Sequence, residues 1–168
     1  EGEFTVSSAA VSSGNVGEFA KAYRESDYYG NVSIAATFRG YLDSSVIGLI
    51  PFLSDVDNYL EIHLSPTEVV SIVRYGGREE SQTYALPEDF VYASEEGHRL
   101  SSSVEDGTLT FSVDNAVLFE EDVSYLDSHK KASVGFVVAG SQASVSKPEI
   151  SGFTPLDPID RGGFTFFG

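Results

Sequence analysis

The chain has 168 residues, with 10 Lys plus Arg against 26 Asp plus Glu, a formal net charge of −16, and no Cys, Met or Trp. Without cysteine there is no disulfide scaffold, thiolate metal site or thiol nucleophile, and so acidic a chain repels phosphate backbones, which sets nucleic acid aside as a partner. No run approaches the ~20 apolar residues of a membrane-spanning helix, while 41% hydrophobic and 12% aromatic residues suffice for a real core.

From the N-terminus, Glu1 to Ala10 carry neither an initiator Met nor a basic or apolar signal segment. The numbering is expected to start on a mature chain, or on a domain excised from a longer one. Strands are expected at Glu18 to Arg24 and at Asn31 to Arg39, where Val32, Ile34, Ala36 and Phe38 fall on one face. Ser45 to Leu53 is continuously apolar, as a strand covered on both sides would be. After a turn at Asp55-Val56-Asp57-Asn58, the strand Asn58 to Leu64 alternates Leu60, Ile62 and Leu64 with Tyr59, Glu61 and His63. Glu68 to Tyr75 is a further strand, and Gly76-Gly77 a turn. A short helical turn is expected in Leu86 to Glu96 or in Val123 to Lys130. Between those two segments lie strands His98 to Val104, Thr108 to Val113 and Ala116 to Glu120, joined by turns at Glu105-Asp106-Gly107 and Asp114-Asn115. Ser133 to Ala139 and Ala143 to Ser151 complete the set. Helical periodicity is almost absent, and many short strands at this spacing predict an all-β, antiparallel two-sheet sandwich. Parity puts Phe38, Ile50, Leu60, Ile62, Leu64, Leu109, Phe111, Phe136 and Val138 in the shared core.

The end of the chain differs. Gly152 to Gly163 carries Pro155, Pro158 and three glycines, which reads as a linker, and Phe164-Thr165-Phe166-Phe167-Gly168 reads as a short strand-like tail. The expected organisation is a β-sandwich over 1–152 and a linker with tail over 153–168. Three phenylalanines would not hang in water, since burying one contributes ~2–3 kcal/mol. Phe164, Phe166 and Phe167 are therefore expected to dock, either on their own sandwich or on a neighbouring subunit's sheet edge.

Two stretches carry a family resemblance. Asp55-Val56-Asp57-Asn58-Tyr59-Leu60-Glu61-Ile62-His63-Leu64 resembles the D-x-D-N-Y-Y hairpin of concanavalin A-like and laminin G-like jelly rolls. His98-Arg99-Leu100 with Gly107 to Asn115 is similar to the W-H-x-L…G-x-L-x-V-Y-V-D-G segment of that superfamily, and Val134-Gly135-Phe136 to its V-G-L strand. The match covers roughly residues 28 to 152 and departs at Gly97, where Trp is usual, and at Asn115, where Gly is usual. The resemblance implies a jelly-roll fold. It does not imply one activity, because lectins, glycosidases, lyases and adhesion modules share this fold.

The candidate chemistry is sparse. Asp55, Asp57 and Asn58 crowd oxygen ligands into one turn, a candidate calcium site, and the superfamily often binds calcium at loop ends; an Asx turn explains the same residues without metal. Tyr59, Glu61 and His63 share the face opposite to the core and form either a ligand platform or a solvated surface. His98 has the parity of Leu100 and Val104 and is expected to be a satisfied, partly buried histidine, while His129 beside two lysines is expected in a loop. The nine tyrosines, among them Tyr28, Tyr29, Tyr41, Tyr59, Tyr75, Tyr84 and Tyr92, are the available platforms for sugar stacking. Acids occur as adjacent runs, Glu79-Glu80, Glu95-Glu96 and Glu120-Glu121-Asp122, whose side chains alternate between strand faces, and the E-x-D-x-E pattern of jelly-roll glucanases is absent. No histidine sits in a nucleophile context, so no enzyme is expected. Between Glu79 and Asp127 stand thirteen acidic residues and one basic residue, Arg99, which reads as a solvated face or a cation-binding one.

These features point to a non-catalytic extracellular or cell-surface sandwich, a structural or adhesive subunit that self-assembles through its tail into a homo-oligomer or filament. The alternative is a carbohydrate-binding, lectin-like module with glycan partners. A glycan-active enzyme is the third reading.

Overall fold

A computed structural model describes residues 4–7, 10–13, 20–92, 96–128, 131–140, 143–154 and 165–166, with side chains for 32–92, 96–126, 133–140 and 143–151. The strands are β1 (Phe4–Ser7), β2 (Ala10–Ser13), β3 (Ala20–Arg39), β4 (Val46–Asp55), β5 (Asn58–Leu64), β6 (Glu68–Tyr75), β7 (Arg78–Ala85), β8 (His98–Glu105), β9 (Thr108–Val113), β10 (Ala116–Asp122), β11 (Lys131–Ala139), β12 (Ser144–Thr154) and β13 (Thr165–Phe166). All pairings are antiparallel. The only helix among the described residues is a 3-10 turn, Ser124–Ser128, inside the second of the two expected segments.

The long strand β3 belongs to two sheets. Its first part, Ala20 to Asp27, pairs with β11, which continues through β4, β5 and β6 to the edge strand β7. Its second part, Val32 to Phe38, pairs with β8, which continues to β9 and the edge strand β10, while β12 lies on its other side. The two expected strands at Glu18 to Arg24 and Asn31 to Arg39 thus fall on one element, Ala20–Arg39, whose backbone stays in strand through Gly30-Asn31. The result is a jelly-roll sandwich, with the inward residues of both sheets forming one core. Phe38 of one sheet meets Phe136 of the other edge-to-face, with ring centroids 6.1 Å apart.

Eight of the nine residues expected in the shared core are there, each fully buried. Ile50 is the correction. It is fully buried but outside the cluster, because the β4–β5 register shifts between Leu49 and Phe52. That bulge brings both Leu49 and Phe52 into the core, three residues apart, and turns Ile50 to the opposite face.

The turns explain the two departures from the jelly-roll pattern. Asn115 has φ 71° and Asp114 φ 50°, so the β9–β10 turn needs two left-handed residues, which an Asp-Asn pair tolerates. Gly97, with φ 72°, lies so close to Phe38 that a Cβ would strike its carbonyl oxygen, and no Trp fits there. Three strands were not foreseen, β1, β2 and β7. Of these β7, Arg-Glu-Glu-Ser-Gln-Thr-Tyr-Ala, is exposed at all positions but Tyr84. As an edge strand it has no hydrophobic alternation to display, and its charges guard its free edge.

At the other terminus β12 runs to Thr154, two residues past the expected domain end. The backbone of β13 pairs with β3 of the same chain, Thr165 opposite Tyr23 and Phe166 opposite Ala22. Of the two docking modes, this is the one within the chain; Phe164 and Phe167, and the side chain of Phe166, lie outside the described residues. No helix among the described residues is long and apolar enough to cross a membrane.

Candidate functional site

Alternation along β5 sends Leu60, Ile62 and Leu64 into the core and Tyr59, Glu61 and His63 to the outer face of the β4–β7 sheet. Register then sets three cross-strand rows on that face. Tyr59 lies opposite Arg74, which lies opposite Glu79; Glu61, Ile72 and Ser81 form the second row; His63, Val70 and Thr83 form the third. Beside His63 stands Gly48, where a Cβ would collide with the carbonyl oxygen of Ile62 and with Val137.

Glu61 is the unusual member. Its side chain is only 6% exposed although it points away from the core, and its Oε2 lies 3.0 Å from His63 Nε2. A carboxylate withdrawn from water at this depth is costly unless it is paired, so the contact fixes both side chains. In the first row, the Tyr59 hydroxyl reaches past Arg74 and donates to Glu79 Oε2 at 2.6 Å. Burial, and then the Glu79 carboxylate that accepts its hydrogen bond, raise the Tyr59 phenol above its ordinary value. Arg74 Nη2 sits 3.3 Å from Asp57 Oδ1, and its buried Nε has no hydrogen-bond partner. The face thus presents fixed acceptors (Glu61, Glu79), fixed donors (His63, Arg74), a tyrosine ring and the apolar side chains of Val70 and Ile72. That mixture suits a ligand with many hydroxyls and small apolar faces.

The structure brings Asp55, Asp57 and Asn58 into the β4–β5 turn, where they bond mainly to each other and to the neighbouring hairpin. Asp55 accepts from the Asp57 N–H at 2.8 Å and from Asn58 Nδ2 at 2.9 and 3.1 Å, and Asn58 Oδ1 accepts from the Gly76 N–H at 3.0 Å. As arranged, these are the bonds of an Asx turn, and they engage the oxygens that calcium would need. Among the described residues no group of three or more His, Asp or Glu side chains is placed to hold a metal ion.

The other candidates fall elsewhere. His98 is buried and satisfied, with Nδ1 2.6 Å from Asp114 Oδ2, Nε2 2.8 Å from the Val91 carbonyl, and Phe90 stacked on its ring. His129 lies outside the described residues, as do the side chains of Tyr28 and Tyr29. Tyr41 and Tyr92 are not sugar platforms: both are buried, and Tyr41 donates to the Tyr92 carbonyl while Tyr92 donates to that of Ser45. Tyr84 is stacked on Phe119 with centroids 3.9 Å apart. Sequence reading missed Arg74 and Glu79 on the face. The parity of β6 carries the signal for Arg74, but Glu79 lies on β7, which was not foreseen.

No known protein family and no curated protein matches the chain by sequence. Solved structures do match in shape. The carbohydrate recognition domain of Emp47p superposes with a TM-score of 0.64 at 12% identity, over 93% of this chain and 87% of that one. The carbohydrate binding module CBM66 from Bacillus subtilis gives 0.60 at 14% identity, over 90% and 92%. A glycoside hydrolase family 16 endo-glucanase from Bacteroides ovatus gives 0.61 at 12% identity, over 89% and 85%. At such identities the likeness shows the fold: a concanavalin A-like jelly roll, as the hairpin motifs implied.

Proposed function

We propose that the protein is a non-catalytic, lectin-like carbohydrate-binding module whose glycan lies on the outer face of the β4–β7 sheet, across Tyr59, Glu61, His63, Arg74 and Glu79. The observation that carries this reading is the Glu61–His63 pair, buried at 3.0 Å on a face turned away from the core. Carboxylates and ring nitrogens held in place beforehand recognise hydroxyl pairs at low ordering cost. Two of the structural neighbours are named for carbohydrate binding or recognition, which supports the same reading. The third is a glucanase, but this chain lacks the E-x-D-x-E strand pattern sought for such chemistry, and each carboxylate of the face is already held by a donor. An extracellular or cell-surface location fits the strongly acidic, cysteine-free composition. The pairing of the tail strand with β3 of its own chain supports docking of the tail within the chain.

A glycan panel followed by calorimetry tests it. At least one neutral oligosaccharide should bind, and Tyr59→Ala and His63→Ala should each weaken it about tenfold or more, as expected for losing one well-placed recognition group. Binding that survives both substitutions unchanged, or a panel with no binder, would reject the assignment.

A further inference from the structure

A concavity opens at the rim of the sandwich, on the core-facing side of the β6–β7 hairpin and so on the opposite face of the sheet from Glu61 and His63. It has a volume of about 240 Å³ and is lined by Val73, Tyr75, Arg78, Glu80 and Tyr125. A smaller hollow of about 90 Å³ shares Val73, Glu80 and Tyr125 and extends the mouth to Gln82 and Glu121. The sequence dictates its walls. Parity places Val73 and Tyr75 of β6 and Arg78, Glu80 and Gln82 of β7 on the side facing the other sheet. The 3-10 turn, anchored by Asp122 accepting from the Ser124 N–H at 2.9 Å, swings Tyr125 across from them.

Two features define what such a mouth accepts. The rings of Tyr75 and Tyr125 stand at 73° with centroids 5.4 Å apart, both about two-fifths exposed, so they form a corner rather than a flat platform. A corner holds a compact, rounded group and serves a flat pyranose poorly. The field there is negative: Glu80, Glu121 and Asp122 outnumber Arg78. Burial first, and then those three carboxylates, push the Tyr125 phenol up to about 12. The carboxylates also have donors of their own. Glu80 is paired with Arg78 at 3.0 Å, and Glu121 accepts from the Tyr84 hydroxyl at 3.3 Å. A primary ammonium, strongly hydrated, would have to displace those donors. An alkylated ammonium needs no hydrogen bonds and gains from ring faces and negative field together.

We propose that this mouth is a binding site for a quaternary or trimethylated ammonium group, separate from the glycan face. The probe is tetramethylammonium chloride, titrated against sodium chloride and ammonium chloride at matched ionic strength and followed by tyrosine emission, which no tryptophan obscures. A saturable change is expected with tetramethylammonium alone. Tyr75→Ala and Tyr125→Ala should each weaken it about three- to tenfold, the range for losing one partly exposed cation–π wall. Tyr59→Ala, on the other face, should leave it unaltered, so the outcome is independent of the glycan assignment. If Tyr125→Ala unfolds by circular dichroism, the Glu80→Gln/Glu121→Gln double variant takes its place and should also weaken binding. Choline and free trimethyl-lysine as second probes distinguish a headgroup source from a side-chain source. An equal response to sodium or ammonium, a change that never saturates, or full binding by the tyrosine variants overturns the proposal.

Discussion

The two outer faces of the sandwich are built by the same alternation yet carry opposite chemistry. On the β4–β7 sheet, outward positions hold Tyr59, Glu61, His63, Arg74 and Glu79, with contacts of 2.6 Å from Tyr59 to Glu79, 3.0 Å between Glu61 and His63, and 3.3 Å from Arg74 to Asp57. On the β3–β8–β9 sheet, outward positions hold Ser33, Ala35, Ser101, Ser103, Thr110 and Ser112, around a hollow of about 140 Å³. These positions offer hydroxyls on short stems around that hollow, and beside them on the same face Arg99 pairs with Glu149 at 2.7 Å. Both sheets satisfy the core equally well, so core packing cannot be the reason for the difference. Long polar side chains locked to one another set the first face apart, and it is the one proposed to take the glycan. Short ones on the other leave the sheet closed by its own backbone.

The comparison is broken or sharpened most strongly at Glu61. Glu61→Ala leaves His63 without its buried carboxylate and should cost about 3 kcal/mol in urea unfolding as well as glycan affinity. Ser101→Ala on the opposite face should change stability by no more than ~0.5 kcal/mol. Equal effects from the two would erase the distinction. The tail comes next. Deleting residues 164–168 removes the pairing of β13 with β3, and the expectation that its phenylalanines dock puts the loss at ~2 kcal/mol for each one buried. The melting temperature should fall with no change in elution volume on size exclusion, whereas a loss of assembly without destabilisation would favour donation to a neighbour.

A smaller effect, confined to alkaline solution, separates the buried tyrosines from those of the face. Burial, then Tyr92 and Asp114, raise the Tyr41 phenol, and burial pushes Tyr92 up to about 12. Their unfolded values lie near ~10, so the folded state holds these protons more tightly. The stability from this source is fully present below pH ~10 and is lost as pH rises through 12. Tyr92→Phe should flatten that part of the pH–stability curve, while Tyr59→Phe should alter it less. The smallest expected effect is that of calcium on the β4–β5 turn. With Asp55 and Asn58 engaged by protein donors, chelator and millimolar calcium should give melting temperatures that differ little; a clear rise with calcium would make Asp55, Asp57 and Asn58 ligands.

How much was legible beforehand can be read from particular elements. In β5 and β9 each side chain reports its face through strict alternation, so Leu60, Ile62, Leu109 and Phe111 could be assigned to the core directly. In β4 a bulge breaks the period, and Ile50 was placed on the wrong side. In β7 there was no alternation to read, so Glu79 was absent from the face and Arg78 and Glu80 from the rim. Tyr75 was visible as an aromatic residue, but nothing in the chain predicted that Tyr125, fifty residues on, would stand beside it.

The sequence by itself determined the all-β class, the core faces of the regular strands, the left-handed turns at Gly76-Gly77 and Asp114-Asn115, and the outward set of Tyr59, Glu61 and His63, because each is set by local backbone geometry and period-two parity. Only the tertiary structure decided the rest. Strand order put Arg74 and Glu79 beside Tyr59, buried Glu61 against His63, spent Tyr41 and Tyr92 on internal carbonyls, and returned the tail to β3. Those outcomes depend on which distant segments pair and at what register, and that is settled by the packing of the whole core rather than by any one stretch of chain.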